Sequence, residues 1–129
     1  MNELVTRNDG SQILSLFLAG RSPATLRAYG DDLADFAEFV EVAGLPEAAK
    51  LLLGAGPGEA NALTLRYRAA MLDRGLAPAT VNRRLAALRS LVKLARLIGL
   101  VNWSLDVDGV RQEQYRDTRG PGLDGVRRM

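Results

Sequence analysis

The sequence of 129 residues contains no cysteine and no histidine. The absence of cysteine excludes disulfide and thiolate chemistry, and the absence of both residues excludes the usual zinc sites and the Ser-His and Cys-His nucleophile pairs. No apolar run approaches the roughly 20 residues that a membrane-spanning helix needs, and the first ten residues, MNELVTRNDG, do not form a signal peptide. We therefore expect a cytoplasmic protein with no cofactor, no metal and no membrane partner.

Charge is unevenly distributed along the chain. The formal net charge is only +2, but residues 1–59 carry four basic and nine acidic residues, whereas residues 60–129 carry thirteen basic and six acidic residues. Such asymmetry suggests a surface that meets an anionic partner. The alternative is a solvated arginine face with no partner, because arginine is a good helix former.

The segment of residues 77–100 predicts a helix of about six turns around which the rest of the chain is organised. Its apolar residues recur at spacings of three and four, which predicts one buried face. These residues are Val81, Leu85, Leu88, Leu91, Val92, Ala95 and Ile98.

A polar and basic stripe runs beside that apolar face. At 100° per residue, Asn82, Arg89, Lys93 and Arg96 project within a sector roughly 60° wide, with Ala86 among them and Ser90 and Arg83 on its edge. Between residues 74 and 96 there are six basic residues and no acidic residue. A long helix with such a stripe is suited to lie along a polyanion.

An earlier long helix is predicted to begin at Ser22-Pro23, an N-cap followed by proline at the first helical position. It is expected to run to about residue 43, with Gly44 closing it. Its outer face is predicted to be acidic, formed by Asp31, Asp32, Asp35, Glu38 and Glu41. Only its first turns, which bear Arg21, Ser22, Thr25 and Arg27, are then suited to a phosphate. Simple capping by Ser22 and Thr25 is the alternative.

Three further helices are predicted over residues 11–18, 46–53 and 59–74. The last of these carries apolar residues on two sides, including Leu65, Ala69 and Leu72 on one of them, which predicts a helix wedged between neighbours. The domain organisation that follows is a flexible N-terminus over residues 1–10, a helical domain over 11–105, a linker over 106–122 and the start of a further, missing domain over 123–129.

Two motifs and the tail carry a resemblance to a known family. The first, S-x-x-T-x-x-x-Y-x-x-D-L-x-x-F, begins at Ser22, and the second, T-x-N-R-x-L-x-A-L-R, begins at Thr80. Together with residues 119–129, they resemble the amino-terminal core-binding domain of the tyrosine recombinases, the phage-integrase family. The chain departs from the family pattern at Ala77, where a serine is common, and at Asn102-Trp103, where Asn-Pro is common.

This resemblance implies an all-α fold, a small SAM-like bundle of four to five helices with a C-terminal linker, which forms half of a C-shaped clamp on double-stranded DNA. It implies that the helices beginning at Ser22 and Pro78 face the major groove. The residues expected to contact DNA, from the resemblance and the stripe together, are Thr25, Arg27, Asn82, Arg83, Arg89, Ser90, Lys93 and Arg96. Arg84 projects toward the apolar sector, and a packing or partner role is expected for it.

The resemblance also implies that the catalytic residues belong to the missing domain, so this chain is not expected to be an enzyme. Tyr29 and Tyr67 lie on apolar faces and are expected in the core, and nothing near Tyr115 would activate it. The implied partners are duplex DNA and other recombinase protomers in a synaptic complex, the isolated domain being monomeric.

Two other functions are compatible with the residues alone. SAM-like bundles also bind proteins, so a protein-protein interaction module with no direct DNA role is the principal alternative. An enzyme in its own right is less well supported, because acid pairs such as Asp31 and Asp35 are expected on a solvated helix face.

Overall fold

The computed structural model describes residues 11–111, which form five helices and no β-strand. The first helix, α1, includes residues 11–18. The other four are α2 (Pro23–Phe39), α3 (Leu45–Gly54), α4 (Pro57–Asp73) and α5 (Pro78–Leu97). The prediction of a small all-α bundle is confirmed. The predicted flexible N-terminus, most of the predicted linker, the predicted start of a further domain and Tyr115 lie outside the described residues.

Helix α5 is the centre of the bundle and contacts α2, α3 and α4. Its predicted apolar face is buried from Val81 to Ala95, while Ile98, just beyond the helix, is 43% exposed. Tyr67 of α4 is fully buried and packs edge-on against Phe36 of α2, with ring centroids 5.2 Å apart. Apolar burial of this kind is the main favourable contribution to folding, so the helix that carries the basic stripe is held rigidly.

Helices α2, α4 and α5 end with the same backbone turn. After each of them one residue adopts a left-handed conformation, and the next amide donates back to a carbonyl five residues earlier, as in a Schellman motif. The left-handed residues are Glu41, Gly75 and Gly99, and the donating amides belong to Val42, Leu76 and Leu100. The predicted extension of α2 to residue 43 is therefore wrong, because Glu41 adopts a φ of 61° and ends the helix without a glycine. Gly44 is instead the N-cap of α3.

Helix α4 buries one face only, which corrects the prediction that it is wedged between neighbours. Ala60, Tyr67 and Met71 face the core. On the other side, the Leu65 and Leu72 side chains are 51% and 40% exposed. Leu65 lines a small cleft together with Asp106 and Val107, so the chain after α5 borders this side of α4 at the Leu65 end.

The chain leaves α5 as an extended segment that folds back over the bundle. Residues 104–110, called the strap below, have no helical or strand structure, but Leu105 and Val107 are buried. These two apolar side chains anchor the strap beside α4 and α5. None of the described helices has the length and apolar composition required to cross a bilayer.

Candidate nucleic-acid interface

Helix α5 and the strap form an open, basic concavity of about 820 Å³. Arg89, Lys93 and Arg96 line it, together with Ser90 and with Arg21 from the turn before α2. Among residues 11–111, no acidic residue lines it. Four cations that converge on one concave surface with no carboxylate among them produce a local positive potential suited to an anion.

Arg21 is fixed in place by two aromatic rings of the N-terminal part of the fold. Its guanidinium carbon lies 5.0 Å from the ring centroid of Phe17 and 4.9 Å from that of Tyr29, distances at which a cation is attracted by a ring face. Its Nε also donates to the Phe17 carbonyl at 2.7 Å. The sequence placed Arg21 only near the start of α2, because nothing in the local pattern shows that α5 lies beside it.

Two predicted contact residues, Lys93 and Arg27, are exposed and form no hydrogen bond or ion pair with the rest of residues 11–111. Lys93 lines the concavity, whereas Arg27 lies on the second turn of α2, outside the lining. Thr25 is also on α2, where its amide donates to the Ser22 Oγ at 3.2 Å. Ser22 and Thr25 therefore make the helix cap that was the structural alternative, while Lys93 and Arg27 keep their charges available.

Two predicted contact residues of α5 hold the strap. Arg89 donates from Nη1 to the Val107 carbonyl at 2.9 Å, and Arg96 donates from Nη1 to the Ser104 Oγ at 2.6 Å. A guanidinium has five N–H groups, so each arginine keeps donors for another acceptor. The strap thus fixes both side chains at the edge of the concavity without neutralising their charge.

Asn82 uses both ends of its amide on the backbone of the strap. Its Nδ2 donates to the Val110 carbonyl at 2.8 Å, and its Oδ1 accepts from the Val110 amide. An asparagine that reads adenine in the major groove needs both the same donor and the same acceptor. Asn82 would have to release the strap before it could read a base in this way.

Arg83, also a predicted contact residue, is paired with Asp32 across the α2–α5 interface. Its Nη2 lies 2.8 Å from Asp32 Oδ1, and its Nε is within 3.2 Å of both carboxylate oxygens. The Arg83 side chain remains 53% exposed, whereas that of Asp32 is 1% exposed. Its hydrogen bond to Asp32 raises the pKa of Arg83.

The predicted acidic outer face of α2 is wrong at two of its five positions, Asp32 and Asp35. Both carboxylates turn inward and meet arginines of α5 and the arginine that caps the end of α4. One oxygen of Asp35, Oδ2, accepts from the Tyr67 hydroxyl at 2.6 Å and from Arg74 Nη1 at 3.1 Å, and it forms an ion pair with Arg84 Nη1 at 3.1 Å. Arg84 is thus largely buried and has the packing role expected for it. Asp32 and Asp35 therefore neutralise Arg74, Arg83 and Arg84, which do not line the concavity. The charges of the arginines and the lysine that line the concavity are not neutralised by these two carboxylates.

The shared environment of Asp35 and Tyr67 shifts the pKa values of both. Burial raises the pKa of Asp35, but hydrogen bonds from Arg74 and Tyr67 and the charge of Arg84 outweigh this effect and leave it below its usual value. Burial, followed by the hydrogen bond to Asp35, raises the pKa of Tyr67 far above its usual value. Tyr67 therefore stays protonated and is a structural residue, as its place on an apolar face predicted.

We expect Tyr67 to make stability decrease in alkaline solution. Its pKa is about 10 in the unfolded chain and higher in the folded chain, so its contribution is complete below pH of about 10 and is lost as the pH rises further. The free energy of unfolding should then fall by up to about 1.4 kcal/mol per pH unit more steeply than in Tyr67→Phe. Urea denaturation between pH 9 and 11 measures this difference, and identical slopes for the two proteins would contradict it.

The fold and the site together define a small all-α domain with a basic concavity that no acidic side chain of the described helices or strap lines. No protein-family model matches the chain, and no solved structure matches it. Over 102 residues, 78% of the chain, it is 51% identical to a tyrosine recombinase of Synechococcus elongatus. Over 104 residues, also 78% of the chain, it is 45% identical to a tyrosine recombinase of Synechocystis sp..

The chain belongs to the tyrosine recombinase family. It spans about one third of the length of these two relatives, 32% and 33% respectively. The resemblance first carried by the motifs beginning at Ser22 and Thr80 is therefore confirmed at the level of the family.

Proposed function

We propose that this chain is the core-binding domain of a tyrosine recombinase and binds double-stranded DNA through the basic concavity beside α5. The observation that carries the proposal is the convergence of Arg21, Arg89, Lys93 and Arg96 on a surface that no carboxylate from the described part of the chain lines. Duplex DNA carries one negative charge per about 1.7 Å of helix axis, so a rigid helix that presents several cations is a suitable partner. The domain would form one half of a clamp in the cytoplasm and position a separate catalytic domain.

Within this proposal the contact residues divide into two groups. Lys93 and Arg27, which form no hydrogen bond or ion pair within residues 11–111, would neutralise phosphates, as would the remaining N–H groups of Arg89 and Arg96. Such contacts fix the register of a protein on DNA without reading sequence. Thr25 and Ser90 offer hydroxyl groups for the same purpose. Arg83 and Asn82 are less available, because the first pairs with Asp32 and the second with the strap.

We also propose that the chain alone does not cleave DNA. Tyr67 is buried, donates to Asp35 and has a raised pKa, which disfavours the phenolate that a nucleophile needs. Tyr29 packs against Phe17, with ring centroids 4.8 Å apart. Because the relatives are about three times longer, strand cleavage and joining would depend on the part of the recombinase that this chain does not cover.

A protein partner remains the second candidate, and one observation favours it. Leu65 and Leu72 of α4 form an apolar side that stays 51% and 40% exposed, although the strap borders it at Leu65. An exposed apolar surface can mark a contact with another protein, for example a second recombinase protomer in a synaptic complex. The isolated domain would still be a monomer, and this surface is separate from the concavity, so the two functions are compatible.

Site-specific photocrosslinking tests the DNA proposal. Because the chain has no cysteine, one introduced cysteine can carry an aryl azide. Ser90→Cys lies in the concavity and should crosslink to a duplex of about 30 base pairs, roughly three helical turns. Ala43→Cys, an exposed site before α3 outside the concavity, is the matched control and should not. Equal crosslinking from both positions, or crosslinking from Ala43→Cys alone, would contradict the proposal.

A further inference from the structure

The strap is fastened to the bundle by two asparagines that each pair with its backbone. Asn61 of α4 donates from Nδ2 to the Ser104 carbonyl at 3.2 Å and accepts at Oδ1 from the Asp106 amide at 2.7 Å. Asn82 of α5 does the same with the carbonyl and amide of Val110. A primary amide offers both donors and an acceptor, so each asparagine satisfies two backbone groups of an extended segment that pairs with no strand among residues 11–111. The two ends of the strap are thereby held in a fixed register.

Gly109 shows that the second of these contacts is a close fit. A Cβ atom at Gly109 would lie 2.5 Å from Asn82 Oδ1 and 2.9 Å from Asn82 Cγ. Both distances are too short for a carbon in van der Waals contact, where about 3.5–4.0 Å is optimal. Any other residue at this position would displace the Asn82 amide from Val110. The strap and α5 therefore fit each other through a glycine that permits the close approach.

The strap between these two fastenings holds two arginines of the basic concavity. The Val107 carbonyl accepts from Arg89, and the Ser104 hydroxyl accepts from Arg96. Long side chains lose considerable rotamer freedom when they bind a ligand. A binding site whose side chains are already restricted loses less on association. Fixing the strap therefore restricts the motion of Arg89 and Arg96 before any ligand arrives.

We propose that Asn61 and Asn82 are positioning residues for DNA binding, which act through the strap to orient Arg89 and Arg96 at the concavity. This inference rests on the proposed function and adds a role for two neutral residues, one of which, Asn61, lies on a helix outside the basic stripe. In this role Asn82 holds the strap and reads no base. The strap is then part of the binding surface, because its backbone sets the directions of two phosphate-binding side chains.

The test uses variants that release the strap without changing any charge. The double substitution Asn61→Ala and Asn82→Ala removes the four hydrogen bonds that these side chains form with the strap backbone. Gly109→Ala changes the strap instead and should displace the Asn82 amide from the Val110 backbone. The matched control is Asn102→Ala, an exposed asparagine just before the strap with no hydrogen bond in the described part of the chain. Amide hydrogen exchange of Asp106 and Val110 reports release of the strap.

DNA binding by the same variants is measured by fluorescence anisotropy with a labelled duplex at several salt concentrations. We expect the strap-released variants to bind about tenfold more weakly. If Arg89 and Arg96 lose their phosphates, the slope of log K against log salt becomes shallower by up to about 1.8, since each phosphate contributes about 0.9. Lower stability alone would reduce the active fraction at every salt concentration and leave the slope unchanged. Asn102→Ala should behave as the unmodified protein.

The possible outcomes separate this inference from the proposed function. If the unmodified protein fails to bind DNA, the proposed function fails and the inference fails with it. If it binds and the strap-released variants keep the same affinity and slope, the inference alone is wrong. Tighter binding by these variants would show that the strap covers Arg89 and Arg96, which also overturns it. Unchanged amide exchange in these variants would show that the asparagines do not hold the strap, and this result would also overturn the inference.

Discussion

Replacing both Lys93 and Arg27 with glutamate should reduce the affinity for duplex DNA by at least about a hundredfold. A pair of unit charges 4 Å apart in water interacts by about 1 kcal/mol, so turning one attraction into a repulsion costs about 2 kcal/mol. Two such reversals cost about 4 kcal/mol, or nearly a thousandfold in affinity, and screening by salt reduces this figure. Neither side chain forms a hydrogen bond or ion pair within residues 11–111, so the fold should be retained.

A control with the same change of charge distinguishes a site from an effect of net charge. Lys50 and Arg66 are exposed, lie outside the concavity and are not among the proposed DNA contacts, which include Arg27. Within residues 11–111, Arg66 makes a surface ion pair with Glu59, a type of contact worth little stability. Changing both to glutamate should lower DNA affinity much less than the Lys93 and Arg27 pair. Equal losses would mean that net charge, and no defined surface, controls binding. Circular dichroism confirms the fold of both proteins.

Replacing Asp35 with alanine should strongly lower the melting temperature of the domain. The substitution leaves the buried Tyr67 hydroxyl without its acceptor and removes a carboxylate from Arg84, whose side chain is only 16% exposed. Removing one partner of a buried ion pair costs about 3–5 kcal/mol. At about 4–8 °C per kcal/mol for a domain of this size, even 3 kcal/mol lowers Tm by about 12–24 °C. Calorimetry measures this shift.

Two further variants attribute the loss to the buried network. Asp31→Ala removes an exposed carboxylate from the same helix, and a surface change of this kind is usually worth no more than about 0.5 kcal/mol. Asp35→Ala with Tyr67→Phe should recover about 1 kcal/mol, because the hydroxyl that lost its acceptor is then absent. Similar Tm values for Asp35→Ala and Asp31→Ala would show that the network contributes no stability.

Helical periodicity predicted which side of an individual helix is buried. The apolar spacing of α5 gave its buried face correctly from Val81 to Ala95, because a residue repeat maps directly onto a side of the helix. The same reasoning failed for Asp32 and Asp35. Their partners are 32 to 52 residues away in the chain. Helical projection gives the side of α2 on which an acidic residue lies, but it does not show whether a buried arginine or water faces that side.

The candidate site was only partly predictable for a related reason. The basic stripe of α5 could be derived from projection, and three of its residues, Arg89, Lys93 and Arg96, line the same concavity. The strap contains no periodic pattern, so its hydrogen bonds to Asn82, Arg89 and Arg96 could not be anticipated. The position of Arg21 beside α5 depends on how α1 and α2 pack, which no local spacing encodes.

The ends of the helices were also only partly predictable from the sequence. The predicted end of α4 at residue 74 is within one residue of the observed end, and Gly75 follows it because glycine adopts the left-handed conformation without steric cost. Helix α5 was predicted to continue through Gly99 to residue 100, but it ends at Leu97. Glu41 adopts the left-handed conformation with a side chain, a choice that sequence preferences disfavour. The end of α2 was therefore predicted about four residues too late.

The salt dependence of duplex binding tests the central claim most directly. Fluorescence anisotropy of the unmodified chain with a labelled duplex, titrated at several salt concentrations, should give a slope of log K against log salt near −4.5 if about five phosphates are neutralised. The Lys93 and Arg27 double substitution should make that slope shallower by about 1.8, or abolish binding altogether. The absence of binding by the unmodified chain even at low salt would contradict the proposal and favour a protein partner for the exposed side of α4.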